Sequence, residues 1–161
     1  MPTNKSTPRG LVPHGRVLRV RPYTAGATIY ARAAVTLSSD GFVDAATSGK
    51  LLGVALNYAT VGQTVFVYDD PQQLFEIEGD TAVAAADIGL NCTLNAGTDS
   101  TTYKISGQTA DIDGTMADTA ALSFQILGIV PQADNTINAA NNDIVVRINA
   151  HQLQAVGQTG I

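Results

Sequence analysis

The sequence contains a single cysteine, two histidines and no tryptophan in 161 residues. One cysteine, Cys92, excludes an internal disulfide framework and a cysteine-based zinc site. The histidines, His14 and His151, lie near opposite ends of the chain, so no ligand pair has the spacing of a transition-metal site. Because Cys92 has no basic or histidine neighbour in sequence that would favour a thiolate, we interpret it as a small buried hydrophobic residue.

Charge is also scarce, since charged residues make up only 14% of the chain against roughly 25% in typical soluble domains. The net charge of −5 conceals an asymmetry, because residues 1–39 contain no acid but six basic residues, Lys5, Arg9, Arg16, Arg19, Arg21 and Arg32. This split favours a basic leading segment that meets something acidic. It is equally consistent with arginines on the solvated face of a first strand.

Long apolar runs are absent as well. No stretch approaches the ~18 apolar residues of a membrane span, and no apolar segment near the start marks export. We therefore expect no membrane partner. The arginines are few and the remaining sequence is acidic, which would repel phosphate, so we expect no nucleic-acid partner either.

The chain does contain recurrent short alternating segments, and the clearest lie between Leu51 and Asp80. In the first, alternate residues from Leu52 to Tyr58 are expected on one face, while Gly53 on the other face would let a neighbour pack closely. A compact run follows at Val65 to Tyr68. In a third segment Phe75 and Ile77 alternate with Glu76 and Glu78, which is typical of a strand with one buried face and one solvated face.

Such strands recur about every 8–12 residues up to a last one at Ile144 to Ile148, and this spacing predicts an all-β fold, a single β-sandwich or β-barrel with little helix. We expect this domain to span residues 16–151. Residues 1–15 are rich in proline and glycine and are expected to form an extended arm that the domain does not need for folding. Residues 152–161 are expected to form a loose tail.

Motifs for catalysis or metal binding are weak. Asp111-Ile112-Asp113-Gly114 is similar to the start of a calcium loop, but the later acidic ligands are missing. Glu76 and Glu78 share one strand face, whereas a glycosidase needs carboxylates on opposite sides of the sugar, so both are interpreted as solvated. Neither a nucleophile motif nor a phosphate-binding glycine loop is present. We therefore predict no catalytic residue, no metal ligand and no cofactor.

A resemblance rests on the order of segments from about Leu51 onward, which are LLGVALNYATVGQTVFVYDDP, QLFEIEGD, AAADIGLN, ALSFQILGIV, DNT, DIVVRINAHQ and a terminal TGI. Together they resemble small capsid decoration (cement) proteins and similar head-associated structural proteins of tailed bacteriophages. The resemblance implies a β-rich virion protein, made in the cytoplasm of the host bacterium, that binds the major capsid protein on the outside of an assembled head. It also implies a homotrimer at threefold or quasi-threefold positions.

The resulting hypothesis is a non-enzymatic cement protein, which stabilises the assembled shell by mass action because it binds the lattice and not the free subunits. Its expected contacts to the capsid or a neighbouring subunit are the basic residues of the first segment, Lys5, Arg9, Arg16, Arg19 and Arg21. The alternative is a receptor- or glycan-binding module on a head fibre or tail, which would expose several aromatic residues on loops. A hydrolase is a third and more distant possibility.

Overall fold

The computed structural model describes residues 9–114 and 116–154, and within them the fold is all-β. The only helical element in this part of the chain is a 3₁₀ turn at Ala85–Asp87. The strands are β1 (Val12–His14), β2 (Val20–Thr24), β3 (Ala34–Leu37), β4 (Val43–Ala45), β5 (Gly53–Ala55), β6 (Thr64–Tyr68), β7 (Leu74–Glu78), β8 (Asn91–Cys92), β9 (Leu94–Asn95), β10 (Thr109–Ala110), β11 (Phe124–Ile129) and β12 (Asp143–Ile148). The prediction of an all-β fold is confirmed, and of the two predicted architectures the structure is the sandwich.

The first five-stranded antiparallel sheet has the order β1-β7-β12-β11-β8. Its central strands follow the predicted alternation, because Phe75 and Ile77 on β7 and Val146 on β12 are fully buried. Phe75 lies directly opposite Val146, so the two strands bury the same face. Arg147 points away from this core and donates to the Gln125 side chain at 3.0 Å.

The second five-stranded sheet has the order β2-β6-β5-β3-β4, and each of its faces contributes buried residues to a core. Ala34 and Val54 pack with Phe75 and Ile126 into a core shared by the two sheets. Residues on the opposite face form a second core with loop residues, namely Ala25, Ile29, Ala33, Val35, Val43, Leu52, Ala55, Ala59, Val65 and Val67. The second sheet is therefore the middle layer between two apolar clusters.

The first predicted strand of the 51–80 region is much shorter than expected. Leu52, just before β5, donates its N–H to Val35 O at 2.8 Å, and Gly53 also pairs with Val35. Two consecutive residues, Leu52 and Gly53, therefore lie opposite the single residue Val35. Such a bulge shifts the alternation by one residue. As a result Leu52 packs in the second core and Val54 in the first, and Leu56 is exposed. The prediction that Leu52, Val54 and Leu56 fall on one face is therefore wrong for Leu52, which lies on the face opposite Val54.

The leading segment also differs from its prediction, because residues 11–14 are part of the fold. Strand β1 pairs antiparallel with β7, and Leu11 is fully buried in the shared core. The Leu11 N–H donates to Arg32 O at 2.8 Å. Gly10 has a φ of 61°, and an added Cβ would lie 2.6 Å from Arg32 O, so the chain can enter the fold here only with glycine. The domain therefore begins before Arg16, and residues 1–8 lie outside the described residues.

The predicted tail begins with two residues that are held in place. The Gln152 side-chain amide donates to Leu37 O at 2.9 Å and accepts from Leu37 N–H at 2.7 Å. Leu153 packs against the second core. The remaining predicted tail, residues 155–161, lies outside the described residues. In the part of the chain that is described, no helix has the length and apolar character needed to cross a membrane.

Candidate functional site

Asp69, directly after β6, is a fully buried carboxylate that gathers three side chains from the edge strand β2 and the residue before it. Arg19 Nε donates to Oδ1 at 2.7 Å, Tyr23 OH donates to Oδ2 at 2.6 Å, and Arg21 Nε donates to the same Oδ2. A second Arg19 nitrogen donates to the Asp69 carbonyl at 3.0 Å. Arg19, Arg21 and Tyr23 alternate along the chain, so their side chains project to one side of the sheet.

This cluster is held in one ionisation state at neutral pH. Burial would raise the pKa of Asp69, but the hydrogen bonds from Tyr23, Arg19 and Arg21 outweigh it and lower the pKa below its usual value. Burial and the Asp69 carboxylate raise the pKa of Tyr23 to about 12. These shifts favour an ionised Asp69 and a neutral Tyr23 at pH 7. The cluster therefore anchors β2 to the end of β6.

The predicted basic contact residues are distributed over both sheets, and three of them contact carboxylates of the domain. Arg9 belongs to the first sheet, where Nη1 lies 2.9 Å from Asp143 Oδ2 and Nη2 lies 3.6 Å from Glu76 Oε2. Arg19 and Arg21 lie on the second sheet and are bound to Asp69. Arg16 is exposed, and within the described residues no acidic group lies within 4.0 Å of it. Lys5 lies outside the described residues.

Glu76 is not the solvated carboxylate that the alternation predicted. Besides its contact with Arg9, it lies 3.1 Å from His14 Nδ1, and its side chain is only 19% exposed. Because His14 and Arg9 come from the leading segment, Glu76 fixes that segment to β7. Sequence reasoning missed this role, since it treated residues 1–15 as separate from the domain.

An exposed apolar strip crosses the second sheet on the side opposite the Asp69 cluster. Phe66 lies between buried Val65 and Val67 on β6, so its side chain is on the other face. It lies opposite Pro22 on β2, and its carbonyl accepts the Leu56 N–H at 2.8 Å. Residues that are directly opposite in an antiparallel pair share a face, so Pro22, Phe66 and Leu56 are neighbours across three strands. Leu56 is 44% exposed and Phe66 is 43% exposed. We call these three residues the apolar strip.

Three carboxylates converge beside β10, where oxygens of Asp80, Asp111 and Asp113 lie within 4.8 Å of one another. The sequence motif contained only Asp111 and Asp113, because Asp80 comes from a different part of the chain. Asp80 accepts the Ile112 N–H at 2.9 Å on Oδ1 and an Asn95 side-chain N–H at 2.8 Å on Oδ2. These hydrogen bonds account for the fold of the loop, and we assign no metal to the cluster.

A polar pocket of about 240 Å³ opens where four chain segments meet, next to the end of β4. It is lined by small, hydroxyl-bearing and amide side chains with one carboxylate, namely Thr28, Tyr30, Ala33, Ala45, Ala46, Thr47, Ala96, Asp99, Ser106 and Gln108. No sequence motif indicated this pocket, because its lining is spread over residues 28–108. We call it the polar pocket.

The reactive side chains singled out in the sequence are protected. Cys92 is fully buried in the shared core, as predicted, and burial together with Asp111 and Asp80 raises the pKa of its thiol to about 12. Burial lowers the pKa of His151 to about 4. The first is therefore a neutral thiol and the second a neutral imidazole at pH 7, which makes a thiolate nucleophile or an imidazolium acid unfavourable at these positions.

No protein-family model matches this chain, and no curated protein matches it. The resemblance to phage head proteins therefore stays a prediction from the sequence segments.

Proposed function

We propose that this protein is a non-enzymatic structural protein that binds the outer surface of an assembled phage head and stabilises it. The observation that carries the proposal is the exposed apolar strip of Pro22, Phe66 and Leu56. Other residues on the same face of the sheet, such as Ala34 and Val54, are buried in the shared core. Apolar side chains in a row across three strands form a flat surface suited to another protein. The strip is small, so we expect it to be the centre of a larger contact.

Features of the neighbouring edge favour binding through side chains over pairing through the backbone. Strand β2 pairs with β6 alone among the named strands, and it carries Pro22 at its centre and Arg21 beside it. Proline removes a donor from the edge, and charged residues discourage the addition of a foreign strand. The partner therefore lies on the strip and does not extend the sheet.

Internal carboxylates take up part of the positive charge of the predicted contact residues. Arg9 contacts Asp143 and Glu76, whereas Arg19 and Arg21 share the single carboxylate of Asp69, so that cluster keeps one net positive charge. The apolar strip lies on the opposite side of the sheet, so we describe the docking surface as apolar. This modifies the predicted contact through Lys5, Arg9, Arg16, Arg19 and Arg21.

The proposed partner is the major capsid protein, and the proposed assembly is a homotrimer at threefold or quasi-threefold positions on the capsid exterior. Binding to the lattice but not to free subunits deepens the assembled state by mass action. Such binding requires only a complementary surface and no reactive side chain. It is therefore compatible with the burial of Cys92 and His151. A fibre or tail module with the same fold would be present in far fewer copies.

The test is the number and position of copies on intact particles, measured by quantitative mass spectrometry and cryo-electron microscopy of virions from the phage that encodes the chain. We expect hundreds of copies on the head exterior at threefold or quasi-threefold positions. A handful of copies at the tail or a vertex supports the fibre alternative. Absence from the particle overturns the proposal.

A further inference from the structure

The polar pocket has a buried floor and an exposed rim. Ala33, Ser106 and Gln108 are buried at its base, whereas Ala45 and Asp99 are exposed at its edge. Its volume of about 240 Å³ is below the roughly 300–1,000 Å³ of sites that hold drug-sized ligands. The pocket is therefore large enough for one small ring and too small for a peptide or an oligosaccharide.

Hydrogen bonds hold the walls of the pocket in place. At the floor, the Gln108 side chain accepts the Ala34 N–H at 2.7 Å and donates to Ala46 O at 3.2 Å, which ties three chain segments together. At the rim, Asp99 Oδ1 accepts the Gly107 N–H at 2.8 Å. The geometry is thus formed before a ligand arrives, which reduces the entropic cost of binding.

Two close contacts further fix the rim and one wall. An added Cβ on Gly97 would lie 1.9 Å from Gly107 O, so the two loops can approach one another only with glycine there. The Tyr30 ring packs edge-on against Tyr58 with centroids 5.4 Å apart, and Lys104 Nζ lies 5.0 Å from the Tyr58 centroid. An aromatic wall is therefore held rigidly beside the carboxylate and the hydroxyls.

The lining selects the chemistry of the ligand. Asp99 is the single ionised side chain in it, so an anionic ligand is repelled. A purely apolar ligand would remove the hydroxyls of Thr28 and Thr47 from water without replacing their hydrogen bonds. A compact cation would exchange a full hydration shell for one carboxylate and four alanine methyl groups. A neutral molecule with both hydroxyl groups and an apolar C–H face avoids all three costs.

We propose that the polar pocket binds one neutral sugar ring, such as the terminal residue of a surface glycan. The Asp99 carboxylate accepts hydrogen bonds from ring hydroxyls, which are stronger than those between neutral groups. Thr28, Thr47 and Ser106 supply hydroxyls that both donate and accept. The Tyr30 ring and the alanine methyl groups contact the C–H face. This binding site does not depend on the proposed attachment to a capsid.

The test mixes the full chain with neutral monosaccharides, namely glucose, galactose, mannose and N-acetylglucosamine. Binding is measured by saturation-transfer NMR and titration calorimetry. We expect at least one sugar to bind with a dissociation constant in the millimolar range. Glucuronic acid is expected to bind more weakly than glucose because of the Asp99 charge. Ethanolamine, a small cation, is expected not to compete.

Three variants locate the binding. Ala45→Phe places a ring into the pocket from the exposed rim and should weaken binding about tenfold or more. Ala82→Phe makes the same change at an exposed position that is not in the lining, and it should leave binding unchanged. Asp99→Asn retains an acceptor for Gly107 and removes the charge, so it should weaken sugar binding without unfolding the protein. The proposal is overturned if no neutral sugar binds or if ethanolamine competes. It is also overturned if the Ala45→Phe and Ala82→Phe variants bind sugar equally well.

Discussion

Arg9 and Asp143 are separated by 134 residues, yet Arg9 Nη1 donates to Asp143 Oδ2 at 2.9 Å. Asp143 opens β12 at the centre of the first sheet, and its side chain is nearly buried. Glu76, on the neighbouring strand β7, lies 3.6 Å from the same guanidinium. The leading segment is thus joined to the middle of the sheet by charge as well as by the backbone pairing of β1.

Two deletions at the start of the chain test whether β1 is needed for the stability of the domain. Removing residues 1–15 deletes β1 and the buried Leu11, and the loss of one buried leucine alone costs about 2–5 kcal/mol. We expect the thermal midpoint to fall by roughly 10 °C. Removing residues 1–8 retains every described contact, so its midpoint should fall less than that of the longer deletion. Equal midpoints for all three proteins in differential scanning calorimetry would show that β1 is dispensable.

The backbone contact at Gly53 gives a second prediction. An added Cβ there would lie 2.0 Å from Tyr68 O, and a backbone atom cannot move aside without shifting the β5–β6 pair. We expect Gly53→Ala to lower the free energy of unfolding by about 1–3 kcal/mol in urea titrations. The matched control is Gly128→Ala on β11, where an added Cβ meets nothing within 4 Å, and its stability should be close to that of the parent.

The sequence predicted the regular strands well and the irregular ones poorly. The alternation of Phe75 and Ile77 with glutamates identified β7 because one face of that strand is buried and the pairing is regular. Glycine at position 53 correctly indicated a close approach. The bulge opposite Val35 was not predictable. The extra residue, Leu52, results from the pairing between β5 and β3, and no local sequence pattern marks it.

Long-range contacts explain most of what the sequence did not show. Pro13 and the glycines on either side of β1 gave the leading segment the composition of a disordered arm, while its stability comes from β7 and the buried Leu11. The Asp69 cluster had a visible signal in the spacing of Arg19, Arg21 and Tyr23, but its acceptor is about 46–50 residues away. The polar pocket had none, since four segments supply its lining.

The buried His151 makes stability depend on pH. Its pKa is about 4 in the folded protein against 6.5 for a free imidazole, because burial disfavours the charged form. Between these values the unfolded chain binds a proton that the folded protein does not, so stability falls as the pH drops from about 6.5 to about 4. The loss is roughly 3 kcal/mol by pH 4. Below this range, protonation of Asp69 removes further stability, since its folded pKa is also lowered.

Urea unfolding at several pH values between 4 and 7.5 measures this effect, with His14→Gln as the background so that His151 is the only histidine in the chain. His151→Gln retains a side-chain acceptor for the Leu153 N–H, which His151 Nδ1 now accepts at 3.0 Å. In that double variant the slope between pH 6.5 and 4 should largely disappear. An unchanged slope would show that His151 is not the cause of the pH dependence.

The apolar strip gives the prediction closest to function, which depends on the proposed attachment to a phage head. Phe66→Ser combined with Leu56→Ser removes two exposed apolar side chains from the strip and leaves the buried Val65 and Val67 in place. We expect the affinity for assembled heads to fall at least about tenfold in co-sedimentation, because central apolar residues contribute most to such contacts. The free energy of unfolding should change by less than about 1 kcal/mol, since neither side chain is in a core.

The matched control is Val61→Ser, which removes an apolar side chain that is 69% exposed in the turn before β6 and lies outside the strip. Its affinity for heads should equal that of the parent. Because the strip is apolar and lies on the side of the sheet opposite the Asp69 cluster, raising the salt concentration should weaken parent binding only slightly. If the strip variant binds as tightly as Val61→Ser, or if salt abolishes binding, the contact is made by charge elsewhere on the surface and not by Pro22, Phe66 and Leu56.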